Sequence, residues 1–147
     1  MESRTGRNLR LMALDAVDLA VLSAHAQDAA LHVRDMLFQP KARRFVLALR
    51  RFDWLREGAP QRVQSGLHFD HVRAAALHGF RQDRPDDILN LLSIAFAPGD
   101  APSGEILLTF SGGCAVKLDV ECIEARLADL GPRWACEHAP EHEGEAR

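Results

Sequence analysis

The feature that most constrains this chain is a change of hydrophobic period near residue 30. Before it, Leu19, Leu22, Ala26 and Ala29 recur at three- and four-residue spacing, the stripe of an amphipathic helix. After it, apolar residues alternate. Leu31, Val33 and Leu37 are offset from His32, Arg34 and Met36, and Phe45, Leu47 and Leu49 from Arg44, Val46 and Arg50. A period of two sends successive side chains to opposite faces of a strand, so the core of such a chain must be built from reversing strands. With 147 residues, 47% of them hydrophobic, one domain can form that core without disulfide staples.

The first helix is well signalled. Asp15 is a good N-cap, Asp18 sits at the third helical position, and Leu14 can pack on Leu19 as a hydrophobic staple. The spacing predicts a helix over about 15–29, in which Ala20, Ala24 and Ala30 allow a close approach to a sheet. A short strand around residues 9–13 precedes it, and residues 1–8 read as a loose arm.

The alternation then predicts successive strands. The first covers 31–37, with a turn at Gln39-Pro40-Lys41, and the second starts at 44 and ends near Phe52 or Trp54. After a loop at Glu57-Gly58-Ala59-Pro60, a strand at 67–69 meets a tight reversal at Asp70-His71. Residues 72–78 form a further strand, although Ala74-Ala75-Ala76 favours helix on propensity alone. The 88–96 segment is apolar on both faces, which suits a central strand. Beyond the turn at 98–102, a hairpin joins 106–110 to 116–120. Its turn is Ser111-Gly112-Gly113, whose glycines supply positive φ. The chain then reads as a final helix, capped by Asp119, striped by Ile123, Leu127, Leu130 and Trp134, and stopped at Gly131-Pro132. The expected fold is α+β: a seven-strand, mostly antiparallel bent sheet or half-open barrel of the pleckstrin-homology-like kind. An N-terminal helix precedes it, and a C-terminal helix caps its open end. The expected domain spans 9–134, followed by a disordered acidic tail at 135–147 that contains Glu137, Glu141, Glu143 and Glu145.

Charge and cysteine content narrow the function classes. A net charge of −3 gives no general attraction to nucleic acid. Of 18 basic residues only Lys41 and Lys117 are lysine, a compositional skew that lowers the weight of any arginine patch. The apolar run at 11–14 is too short for a signal peptide, and no run approaches the roughly 20 apolar residues of a membrane span. Three cysteines, Cys114, Cys122 and Cys136, form no compact framework and fit a reducing compartment. The expectation is a cytoplasmic protein with no cofactor, a protein partner, and an unpaired sheet edge able to support a homodimer.

Several stretches resemble a known family when taken together. They are Leu14-Asp15 with Asp18-Leu19-Ala20 and Ser23-Ala24-His25, Arg44-Phe45 with Arg51-Phe52-Asp53-Trp54, and Phe96-Ala97-Pro98-Gly99-Asp100-Ala101-Pro102. The most distinctive is Leu118-Asp119-Val120-Glu121-Cys122-Ile123-Glu124, continued by Leu127-Ala128-Asp129-Leu130-Gly131-Pro132. The chain resembles, from about residue 9 to 134, a domain-of-unknown-function family of small alphaproteobacterial proteins. The resemblance implies a bacterial cytosolic protein and carries over no catalytic or binding residue.

Three groups are candidates for chemistry. Lys41, Arg43, Arg44, Arg50 and Arg51 surround the first strand-to-strand turn, where guanidinium groups can clamp a phosphate, carboxylate or lipid headgroup. Arg44 and Arg50, which alternate with Phe45, Leu47 and Leu49, can instead simply solvate the outer face of a strand, the reading that the arginine skew favours. His68, Asp70 and His71 could gather as metal ligands, but nothing upstream supplies a fourth, so no metal is expected. Cys136, His138 and His142 have part of a zinc spacing but no C-x-x-C partner. Cys122 reads as a small buried hydrophobe, and Cys114, beside the glycine turn, as a residue that could be exposed. No catalytic motif is present. The sequence therefore favours a non-enzymatic interaction or scaffold module over a binder of small anions, and either over a metal-dependent enzyme.

Overall fold

The computed structural model describes residues 8–53, 61–81 and 83–135, without the side chains of 132, 133 and 135. These residues form ten β-strands and one α-helix. In chain order they are β1 (Arg10–Ala13), α1 (Ala16–Ala26), β2 (Ala29–His32), β3 (Met36–Gln39), β4 (Arg44–Phe52), β5 (Gln61–Phe69), β6 (Val72–His78), β7 (Ile88–Pro98), β8 (Gly104–Phe110), β9 (Ala115–Val120) and β10 (Ala125–Ala135). All ten strands join one antiparallel sheet in the order β1-β10-β5-β4-β2-β7-β8-β9-β6, with β3 paired to β4.

The seven-strand plan with a capping C-terminal helix is overturned. Residues 125–135 are a strand, laid along β5 with Leu127 opposite Leu67. The helical stripe misled because the true inward row of this segment is Ile123, Ala125, Leu127 and Asp129, all buried. A carboxylate in a core row breaks the apolar alternation by which a strand is recognised. The sheet is also open, ending at β1 and β6, and is no half-barrel of seven strands.

The N-terminal helix is where the capping signal put it. Asp15 accepts the Asp18 N–H at 2.8 Å, and Leu19, Leu22 and Ala26 face the core. It ends before the expected residue 29, because Asp28 takes a positive φ of 67° and Ala29 begins β2. The helix packs on β1 and β7, and Ser23 Oγ accepts the Ile94 N–H at 2.9 Å. The expected 31–37 strand is broken into β2 and β3 by one turn of 3-10 helix at Val33–Asp35. Residues 72–78 are a strand despite their alanines, paired along β9. Gly112 and Gly113 have φ of 77° and 79°, as the hairpin turn required.

Asp70-His71 makes a corner rather than a hairpin reversal. β5 pairs with β4 and β10, while β6 pairs with β9, so the chain crosses from one part of the sheet to another at His71, whose φ is 61°. β9 and β10 turn the same corner beside it. Asp70 N–H donates to Glu124 O and Glu121 N–H to His71 O, both at 2.9 Å. The folded sheet thus brings the inner rows of β4, β5, β8 and β9 into one core.

The Glu57-Gly58-Ala59-Pro60 loop, the 136–147 tail and the Cys136, His138, His142 run lie outside the described residues. No helix among the described residues is long and apolar enough to cross a membrane.

Candidate functional site

Three polar or open regions stand out, and they differ in how well the fold satisfies them. The first is a buried ion pair. Arg51 on β4 and Asp129 on β10 are 3% and 2% exposed, and their side chains meet through two parallel bonds, Nε to Oδ1 at 3.0 Å and Nη2 to Oδ2 at 2.8 Å. Ser65 Oγ donates to Asp129 Oδ1 and Leu9 N–H to Oδ2, both at 2.8 Å. Burial pushes the Asp129 carboxyl up, but the bonds from Arg51, Leu9 and Ser65 outweigh it and hold the group below the usual carboxylate range. His25, on the last turn of α1, is held below the usual imidazole range, first by burial and then by the Arg51 charge. The pair reaches across β5, which lies between β4 and β10 and contributes Ser65 to it, so the partners that hold the buried carboxylate come from the fold itself.

The second region is the corner. Arg44 Nε donates to Asp70 Oδ1 at 2.7 Å, Arg43 bonds Glu121, and His71 Nε2 lies 2.8 Å from Glu124 Oε1. His68 Nε2 is buried, 3.6 Å from Asp70 Oδ2, without a hydrogen bond to any described residue. Burial is the main reason its pKa falls.

The structure therefore redistributes the candidates read from sequence. Arg43 and Arg44 are brought together with His68, Asp70 and His71, each arginine facing a carboxylate. Arg51 lies seven residues along β4 from Arg44, roughly 23 Å at about 3.3 Å per residue, and is buried against Asp129. Arg50 is 4.0 Å from Asp35, and Lys41 is exposed in the β3–β4 turn. The five cations do not form one patch. Among the described residues no group of three His, Cys, Asp or Glu side chains is arranged to hold a metal ion. Cys114 is buried and donates to Gly79 O at 3.3 Å, and burial raises the Cys122 thiol.

The third region is an unpaired sheet edge, which the sequence led one to expect without showing which strand supplies it. Inward-facing residues of β4, β5, β8 and β9 are almost fully buried: Phe45, Leu47, Leu49, Leu67, Phe69, Ile106, Leu108, Phe110, Val116, Leu118 and Val120 are all at 2% exposure or less. On β3, and on β6 beyond the buried Val72, the inward rows are not sealed. Met36 and Phe38, opposite Leu47 and Phe45, are half-buried. Ala75 and Leu77, opposite Leu118 and Val116, are half-buried and 48% exposed. β3 and β6 are not paired to each other among the described residues. At one end the Val72 N–H donates to Arg43 O at 2.9 Å. At the other, Val33 and Gly79-Phe80 line a cavity of about 330 Å³, floored by Ile88 and Leu89 and bordered by Arg81 and Asp87. Phe80 is fixed there by an edge-on contact with Phe110. The two strands flank a seam, pinched at Val72 and open at Phe80.

A family model described as "Protein of unknown function (DUF2948)" matches residues 9–142. The chain belongs to that family. No curated protein and no solved structure matches the chain. The stretches that carried the family resemblance supply His25, Arg51, Asp53 and Asp129, and the charges of the last three act on His25. The family description assigns no activity, so a reading of function rests on geometry. One signal for the strand that supplies the edge was present in the sequence: Ala74-Ala75-Ala76-Leu77 contains no charge, proline or glycine. Natural sheets guard exposed edges with such residues.

Proposed function

We propose that the protein is a non-enzymatic interaction module that engages another protein through the β6 edge. One observation carries this reading: the inward positions Ala75 and Leu77 of β6, the latter 48% exposed, are left partly uncovered on the stretch 74–77, which carries no charge, proline or glycine. An added strand would gain backbone hydrogen bonds and cover apolar surface that the chain alone leaves wet. The arginine cluster supports an anion-binding reading less well, because Arg43, Arg44 and Arg51 are neutralised by Glu121, Asp70 and Asp129.

The test is capture from a lysate of the source organism with wild-type protein and Leu77→Lys side by side. A discrete protein retained by the wild type and lost by the variant supports the reading. Identical captures, or no specific capture by either, count against it.

A further inference from the structure

The β6 edge also carries information about what docks on it, and this deepens the interaction reading on which it rests. We infer that its partner is a single extended peptide segment alternating apolar and acidic residues, added antiparallel to β6 in the seam beside β3. The inward positions of such a segment would lie beside Ala75 and Leu77, which face the same way as the buried Leu118 and Val116. Apolar side chains at those positions extend the core against which Ala75, Met36 and Phe38 are already packed.

The outward positions are set by charge. On the outer face of β6 stand Ala74, Ala76 and His78, all exposed. The neighbour of Ala76 on β9 is Lys117, which is exposed and forms no ion pair among the described residues. Arg73 does not compete for the same role, because its guanidinium bonds Asp119 at 2.8 Å. A lysine chain is long enough to cross one strand spacing of about 4.8 Å, and the alanine methyl leaves its path clear. An acidic side chain on the outward face of the added strand is therefore complementary to Lys117. Arg81, at the open end of the seam, adds a second cation whose bond to Asp83 is loose, at 3.7 Å.

The shape of the seam favours one strand over a second copy of the chain. Val72 is already bonded to Arg43 of the β3–β4 turn. A folded sheet edge brings its own neighbouring strand, which must pass that turn. A lone extended segment entering beside Phe80 does not.

The probe is a capped synthetic seven-residue peptide alternating valine and glutamate, titrated against the full chain by fluorescence anisotropy. Its controls are a peptide with the same residues in blocks and one alternating valine and lysine. The expected result is saturable binding of the alternating acidic peptide and at least tenfold weaker binding of both controls. Lys117→Glu is expected to weaken binding at least tenfold and Lys117→Arg to retain it, with both variants melting like the wild type. Backbone N-methylation at alternate peptide positions separates strand addition from plain charge attraction: one phase must abolish binding and the other preserve it. Equal loss or equal retention in the two phases overturns the inference, as does unchanged binding to Lys117→Glu. A concentration-dependent dimer with β6 protected overturns it in favour of a second copy. If the peptide does not bind while Leu77→Lys still loses the captured protein, this inference fails and the edge reading stands.

Discussion

The β4–β5–β10 side of the sheet and the β3–β6 seam are made from the same alternating pattern, but the fold finishes them differently. On the first side the inward rows are buried from Phe45 to Arg51, Val63 to Phe69 and Ala125 to Asp129, and their two charges, Arg51 and Asp129, satisfy each other and Ser65. On the second, Phe38, Met36, Ala75 and Leu77 point inward and stay partly wet. The contrast separates two roles. Polar groups taken out of water must be bonded completely, so the sealed side is where substitution destabilises. Apolar groups left in water at an edge cost the fold little, so the seam is where substitution changes association.

The largest effect expected from this contrast is on the sealed side. Asp129→Ala leaves a guanidinium buried without its partner and should lose about 3–5 kcal/mol of unfolding free energy by denaturant titration. The double variant Arg51→Met with Asp129→Leu should recover most of that loss. A single variant as stable as the double would mean that the pair is not dry. The same carboxylate makes stability depend on acid. Its folded pKa is depressed, so its contribution is present above the ordinary aspartate value of about 3.9. It is lost as pH falls through the lower folded value. Wild type should lose stability over that window more steeply than Asp129→Asn, and parallel pH curves would break the link.

Smaller effects grade the two regions further. Ser65→Ala removes one donor from a carboxylate that keeps its other partners, and should cost about 1–2 kcal/mol. Asp15→Ala removes the cap of α1 and should cost about 1 kcal/mol. Leu77→Lys should change stability by no more than about 0.5 kcal/mol while abolishing capture of the partner. A loss from Leu77→Lys as large as that from Ser65→Ala would show that the seam is as sealed as the rest.

What was legible in the sequence follows the same division. Where apolar alternation is unbroken, as in β7, β8 and β9, strands and turns are read nearly to the residue. The cap at Asp15 and the glycines at 112 and 113 act through their immediate neighbours, and they too are visible in one dimension. β10 is not, because Asp129 occupies an inward position made habitable by Arg51, 78 residues away, together with Ser65 and the Leu9 N–H. An ion pair between distant strands removes two points from two apolar rows, and the accidental spacing of Ile123, Leu127, Leu130 and Trp134 then imitates a helix. Leu130 at 64% and Trp134 at 39% exposure belong to no buried stripe. The corner was partly legible: Asp70-His71 marks a change of direction, but not which strands it joins. The open edge was written in the bare alanines of 74–76, a signal that becomes meaningful only once β6 is known to lie last in the sheet.

The most direct measurement of the account is residue-resolved amide hydrogen exchange over 72–78, with and without the alternating valine–glutamate peptide. An edge strand bonded on one side protects alternate amides and leaves the others open, so the account predicts an alternating pattern in the free chain. On peptide binding the open set should become protected, while β4 amides stay protected throughout. Uniform protection of 72–78 in the free chain, or no change on adding peptide, would contradict it.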